Sequence, residues 1–400
     1  MSPTSIFHNI SRLVQGRGTI ATLAQEVARL RATRVLIVTD PGLVLTGIPA
    51  RVAALLSDFN VQIYSDVESD PSVESVDACA RFVVEQGIDL VLGLGGGSPI
   101  DTAKCASILA TNGGKTEDYL GIEKVPAPGL PKILIPTTAG TGSEVTNVAV
   151  LSLKKLRTKK GIVSRYLMAD TALLDAELTV GLPGKITAAT GMDALTHAIE
   201  AYVSRFAQPL TDHFALEAIR RLSRSLRTAV HCGGNIDARE DVLTASLYAG
   251  LAFGSAATGM VHGLAMPLGG LYNIPHGIAN AVLLPHVMKF NLVAAVERFG
   301  DIARAMGESV EGLSPRAAAE RAILAVESLS QDIGIARYID ELGIPRKAIA
   351  DIAKDAMTNS RQVLPNPREV TYEGLIGILN DAFLPEPGRP ASDTFGVLMA

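Results

Sequence analysis

The sequence predicts a chain of two parts, an α/β part built on a parallel, Rossmann-like sheet and an all-α part after it. Three observations carry that prediction. Through about residue 180, short apolar runs alternate with stretches of helical periodicity, the pattern of βαβ units. Two of those runs, DLVLGL at 89–94 and the start of KILIPTTAGTGSEVT at 132–146, empty into Gly/Thr-rich loops. Beyond GLPGK at 181–185 strand-like runs nearly vanish, and helical patterns joined by short turns take over. The expected division is 1–184, 185–383 and a Pro-containing tail, 384–400, whose prolines argue against a helix.

Taken in order, TIATLAQEVARL (19–30) is helical and RVLIVTD (34–40) is a buried strand. GIPARVAALLSDF (47–59) is helical, VQIYSDV (61–67) is extended, and VESVDACARFVVEQG (73–87) returns to helix before the strand at 89–94. In the second part, helical periodicity runs through 210–226, 239–257, 295–307 and 315–334.

Bulk properties narrow the field. With 400 residues, 48% apolar and 19% charged, the chain can bury sizeable cores and is long enough for two domains. Its net charge of −5 with dispersed basic residues gives no nucleic-acid footprint. No apolar run approaches the ~20 residues that span a bilayer, so a cytoplasmic protein with no membrane partner is expected. Cys79, Cys105 and Cys232 stand singly and read as packing residues in a reducing compartment.

The glycines Gly95, Gly96 and Gly97, followed by Ser98, let the backbone approach an anion, and the helix after them turns its free N–H groups to the same place. A tight turn capped by Ser98 explains the same residues. Asp101 and Lys104 follow at helical spacing, and Thr137, Thr138 and Thr141 offer hydroxyls from the later loop, which favours a pyrophosphate and hence a dinucleotide. The motif is not G-x-G-x-x-G, since its glycines come in the third βα unit. Asp40 closes the first predicted strand, where a carboxylate accepts from ribose hydroxyls and repels a 2′-phosphate, favouring NAD(H) over NADP(H). An Asp before Pro41-Gly42 is equally a turn former.

In TGMDALTHAIEAYVS (190–204), Asp193 and His197 stand four apart on a helix-forming run and share a face. A carboxylate and an imidazole so placed are half of a metal site, or simply a hydrogen-bonded pair. His262 and His276, in apolar settings, are candidates for the other half, and His286 is a rival to either. His8, His213 and His231 lie in polar or loop contexts.

GGGSPIDTAK, PTTAGTGSEVT, GMDALTHAIEAY and VHG…IPHGIANAVLLPH occur here in the order and spacing of the iron-dependent (group III) alcohol dehydrogenases, which the chain resembles over residues 6 to 383. Within them it is most similar to the lactaldehyde reductase (propanediol oxidoreductase) branch. The resemblance implies a dehydroquinate synthase-like architecture, an NAD(H)-binding domain followed by a helical metal-binding domain, and a homodimer or larger homo-oligomer. It implies that Asp193, His197, His262 and His276 ligate one divalent ion. It also implies that Gly96, Gly97, Ser98 and Asp101 hold the pyrophosphate, with Thr137, Thr138 and Thr141 around the cofactor and Lys159 near the nicotinamide ribose. Phe253 would wall a small pocket. Fe(II) is the expected metal, and the donors equally suit zinc and other divalent transition metals. The implied activity is hydride transfer between the nicotinamide and a small primary alcohol or aldehyde. A metal-dependent lyase or hydrolase of the dehydroquinate synthase-like superfamily and a non-enzymatic nucleotide sensor are the alternatives.

One departure stands out. Where the family has a second histidine in an A-H-P-L-G run, this chain reads Ala265-Met266-Pro267-Leu268-Gly269. Met266 shares a helical face with His262, so it either packs against substrate or fills a gap in the core.

Overall fold

The computed structural model describes residues 6–385 except Arg157 and Asn359. The tail at 384–400 therefore lies outside the described residues but for its first two. In chain order the first part runs β1 (Leu13–Gln15), α1 (Leu23–Arg29), β2 (Arg34–Val38), α2 (Pro41–Val44), α3 (Ile48–Ala54), β3 (Asn60–Tyr64), α4 (Val73–Glu85), β4 (Leu90–Gly95) and α5 (Gly97–Asn112). It continues through β5 (Gly121–Ile122), β6 (Lys132–Pro136), β7 (Val148–Leu153), β8 (Thr158–Val163) and β9 (Thr171–Leu174).

Six strands form one sheet in the order β1-β9-β6-β4-β2-β3, with every pairing parallel. Alternate residues serve opposite cores. Leu36, Val38, Val91 and Leu134 pack with α4 and α5, whereas Val35, Ile37, Leu90, Leu92, Ile133 and Ile135 pack on the α1 and α3 side. Both faces are covered, which is why β4 is buried at all its positions and reads as an uninterrupted apolar run. After β3 the chain crosses β2 to build outward on its other side, so the carboxyl ends of β2 and β4 flank a topological switch point.

The structure amends the sequence expectations in several places. A three-residue strand, β1, precedes the one expected to be first, so Asp40 follows the second strand and the glycine loop follows the fourth. Residues 19–30 divide into a 3-10 turn, Thr19–Thr22, and α1. A second sheet, β5-β8-β7, was not anticipated. Its β8 reads TKKGIV, whose two lysines and glycine hide a period of two. Cys79 and Cys105 are buried as expected, but Cys232 is exposed just past the last helical turn of residues 209–231.

The second part is helical: α6 (Gly184–Val203), α7 (Pro209–His231), α8 (Ile236–Ala256), α9 (Met260–Tyr272), α10 (His276–Asn291), α11 (Val296–Ala305), α12 (Pro315–Asp332), α13 (Ile349–Met357), α14 (Ser360–Val363) and α15 (Tyr372–Asp381). Helix α6 lies at its centre, against α7, α8 and α10. The window His276–Ala294 is long and apolar enough to cross a bilayer, unlike anything expected from the sequence, yet 67% of it is buried inside this fold. Its apolar length is that of a core helix.

Candidate active site and metal centre

Helix α6 is rich in alanine and other good helix formers, and it presents Asp193, His197 and Glu200 at i, i+4 and i+7 on one buried face. Helix α9 brings His262 to that face, and α10 starts with His276 beside it. Asp193 Oδ1 is 3.8 Å from Nε2 of both His262 and His276. One donor atom from each of the three residues lies within 4.8 Å of the others. His197 stands alongside, its Nδ1 4.0 Å from Asp193 Oδ2 and its ring stacked on His262 at 4.5 Å. The structure thus brings together all four residues expected at the metal, three of them most closely.

Asn280, one turn beyond His276, marks the point of convergence. Its Nδ2 donates to Asp193 Oδ1 at 2.7 Å and lies 3.2 Å from Nε2 of both His262 and His276. An N–H donor therefore sits where three electron-rich atoms meet. Asn280 Oδ1 and His197 Nδ1 are buried without partners, a costly state that a cation drawing in these groups would relieve. One carboxylate and three imidazoles are a fitting donor set for a divalent transition metal.

Protonation agrees with that fit. Burial drives His197 down to about 3 and His276 down to about 4, so both rings are neutral at neutral pH. Burial pushes the Asp193 carboxyl upward, but the three imidazoles and the Asn280 amide outweigh it and hold the group below its ordinary value.

Glu200 fixes the remaining imidazole. Its Oε2 lies 2.5 Å from His262 Nδ1, and its Oε1 accepts the Val261 N–H at 2.6 Å. A proton held on Nδ1 leaves the Nε2 lone pair facing Asp193. Sequence reasoning missed Glu200 and Asn280. Their signals were spacing alone, three residues after His197 and four after His276. His286 lies ten residues along α10 from His276, about 15 Å away, and faces the backbone of Arg337. The structure does not bring it to this group.

Phe253 of α8 stacks on His197 with centroids 4.2 Å apart and walls the centre on that side. Met266 is part-buried one turn beyond His262, while its neighbours Ala265 and Pro267 are buried. The same face of α9 continues to Gly269, where an added Cβ would stand 3.3 Å from Lys159 Nζ. Met266 therefore lies on the face that looks toward β8. Lys159 is buried and paired with Asp70 Oδ1 at 2.8 Å. Asp70, at φ 55°, donates its backbone N–H to Ser98 Oγ at 3.2 Å.

The glycine loop and the Thr-rich loop meet at the switch point. Gly96, Gly97 and Ser98 are part-exposed between buried neighbours, and α5 begins there with no side-chain cap on its free N–H groups. A Cβ on Gly97 would come within 2.9 Å of Thr141 Cγ2, so only glycine lets the two loops meet. Thr138 stands within ordinary contact distance of Gly96, and the buried Thr137 donates its N–H to Gly95 O at 2.9 Å. Asp40 acts as the turn former of the two readings. Its Oδ1 caps α2 through the Leu43 N–H at 2.9 Å, and its Oδ2 faces Gly95.

Asp101 points elsewhere. Its Oδ2 accepts the Val150 N–H at 2.8 Å and its Oδ1 accepts from Ser143 Oγ. Lys104, fully buried, donates to Ser143 O and Val148 O. Both residues thereby brace the loop after β6 against β7, and both Asp101 oxygens are engaged within the fold. That loop in turn reaches the metal centre. A Cβ on Gly140 would strike Thr190 of α6 at 2.6 Å, so the loop packs directly on α6 within a turn of Asp193.

Comparison with known proteins places these features. Residues 11–176 match the family described as iron-containing alcohol dehydrogenase, and residues 187–383 match the Fe-containing alcohol dehydrogenase family, C-terminal. The chain is 43% identical to long-chain-alcohol dehydrogenase 1 of Geobacillus thermodenitrificans, over 92% of this chain and 94% of that one. It is 39% identical to the NAD-dependent methanol dehydrogenase of Bacillus methanolicus, over 92% and 97% respectively. The crystal structure of a 1,3-propanediol oxidoreductase superposes with a TM-score of 0.93 at 40% identity, over 95% of this chain and 100% of that one.

Proposed function

Because the chain belongs to the iron-containing alcohol dehydrogenase family, we propose that it interconverts a small aldehyde and NADH plus a proton with the primary alcohol and NAD+. It is an oxidoreductase of that family, and every relative named above is an alcohol dehydrogenase or oxidoreductase rather than a lyase or hydrolase. One observation carries the site assignment: the Asn280 N–H group stands where Asp193, His262 and His276 converge.

When bound there, a divalent ion supplies Lewis acidity to the substrate oxygen, with Fe(II) expected. The chain's own residues do the rest. Asp193, His197, His262 and His276 hold the ion, and Glu200 keeps the His262 lone pair turned toward it. Gly96, Gly97 and Ser98 with Thr138 and Thr141 take the pyrophosphate, and Lys159 stands near the nicotinamide ribose. Asp40 offers its Oδ2 to the adenine ribose, which supports NAD(H). Phe253 keeps water from the reacting carbon. Met266 cannot carry a proton, so the proton on the product hydroxyl comes through water or cofactor hydroxyls.

A homodimer or larger homo-oligomer is supported by β1, an edge strand with Leu13 exposed. A cytoplasmic location suits three free cysteines. The test is absorbance at the nicotinamide band when metal-loaded protein meets NADH and a panel of short aldehydes. Lasting loss of NADH is the expected result. Product without net nicotinamide change would indicate a lyase or hydrolase, and binding without turnover a sensor.

A further inference from the structure

Helix α14 wedges between α9 and the small sheet. A Cβ on Gly263 would stand 3.3 Å from Gln362 Cβ, and one on Gly161 would stand 3.2 Å from Arg361 Nη1. Residues 159, 161 and 163 of β8 share the face opposite Ile162, which packs with the core on the α4 and α5 side. Gly161 thus gives up its side chain on the face that carries Lys159, and the Arg361 guanidinium occupies the space. Helix α14 thus touches both α9, which carries His262 and Met266, and β8, which carries Lys159, and the guanidinium lies on the β8 side of that junction.

Among the described residues Arg361 makes no hydrogen bond, ion pair or ring contact, and burial lowers its pKa with no acidic group opposing. The part-buried guanidinium has five donors to satisfy, so leaving them unpaired is expensive. Arg239 shows the contrast. It too is buried, but it spends its donors on Gly233 O, Thr187 Oγ1 and Leu182 O. The other cation on this face, Lys159, is already paired with Asp70. Arg361 is thus a cation beside β8 that the described residues leave without a counter-group.

We propose that Arg361 is a specificity residue that binds an anionic oxo-acid group at the far end of the substrate, so that the preferred aldehydes and alcohols carry a carboxylate, sulfonate or similar tail. The inference rests on the aldehyde reductase reading above. A guanidinium fork matches such a group with two parallel hydrogen bonds, and the cleft holds no carboxylate paired to it that the ligand would have to displace. The tail is held at Arg361 while the carbonyl end lies at the Asp193 and His262 centre. Hydride from NADH and one proton then give the hydroxy acid and NAD+, with no further reactant.

The experiment compares 4-oxobutanoate with butanal, a pair alike in length and different in tail charge, in the metal-loaded enzyme and its Arg361→Gln and Arg361→Lys variants. Wild type should show kcat/KM at least about tenfold higher for 4-oxobutanoate. Arg361→Gln should lose about 10- to 100-fold on that substrate, mainly through KM, and stay within about threefold on butanal, with Arg361→Lys between. Calorimetric titration of the NAD+ complex with succinate, which needs no turnover, should show about tenfold weaker binding in Arg361→Gln. Equal use of both aldehydes by wild type, equal loss on both in Arg361→Gln, or a change confined to KM for NADH would overturn the proposal. If neither aldehyde is reduced, the reductase reading fails, and the succinate titration still decides whether Arg361 is an anion site.

Discussion

The carboxylate of Glu200 and the imidazole of His262 form one unit: Oε2 lies 2.5 Å from Nδ1, and the same carboxylate ties down the Val261 N–H. Such partners orient a ligand imidazole and raise its basicity. Glu200→Gln keeps the shape and removes the charge. Metal affinity, measured by competition with a chromophoric chelator, should fall about 10- to 100-fold. Unchanged affinity would reduce Glu200 to a packing residue.

Asn280 yields a prediction of opposite character. Its amide donates to Asp193 and stands against two imidazoles, and a cation held by the same residues would take over that role. Asn280→Ala should lower the stability of chelator-treated protein by about 1–3 kcal/mol, since buried acceptors lose their donor. The metal-loaded form should change far less. Thermal melts with and without chelator check this, and the gap between the two melting temperatures should widen. A narrower gap would mean that Asn280 contributes to metal binding itself.

Asp40 bears on cofactor choice. Its Oδ2 faces Gly95 at the switch point, so Asp40→Gly removes the charge that would repel a 2′-phosphate. The ratio of kcat/KM for NADPH to that for NADH should rise about tenfold or more, by relief of one like-charge contact. The maximal rate with NADH should change less. An unmoved ratio would place the adenine ribose elsewhere.

Glu144 predicts a pH dependence. It is buried, its Oε1 has no partner, and burial raises its pKa from an ordinary 4.5 to about 7. The folded state holds that proton more tightly than the unfolded chain. Its stabilising contribution is therefore complete below about pH 4.5 and is lost as pH rises to about 7. The loss amounts to about 3 kcal/mol at the upper end. Denaturant melts of Glu144→Gln should show a flatter dependence between those limits and greater stability than wild type at pH 8. Parallel curves would show that Glu144 is not titrating there.

The sequence made some of this legible and hid the rest for physical reasons. Strands β2 and β4 were readable because both faces of the sheet are covered, so that all of β4 and all of β2 but the exposed Arg34 are buried, whereas the dehydroquinate synthase-like fold rested on resemblance. Strand β8 was not readable, because Lys159, Lys160 and Gly161 break the alternation. Asp193 and His197 announced themselves by helical spacing. The approach of His262 and His276 depends on packing across the chain and rested on resemblance. Glu200, Asn280 and Arg361 look like ordinary polar residues in a helix. Only burial and the presence or absence of partners separate them from surface groups, and neither is written in local sequence. Asp101 and Lys104 fit the glycine motif by spacing, yet their contacts serve the neighbouring loop.

The most direct measurement is the metal-to-protein ratio, by plasma mass spectrometry, of wild type, His262→Ala, His276→Ala and His286→Ala, each confirmed folded by circular dichroism. The predicted result is about one divalent ion per chain in wild type and in His286→Ala, and a small fraction of that in the other two, because each deletes one of about four protein donors. Full occupancy in His262→Ala or His276→Ala, with loss in His286→Ala, would contradict the metal centre described here.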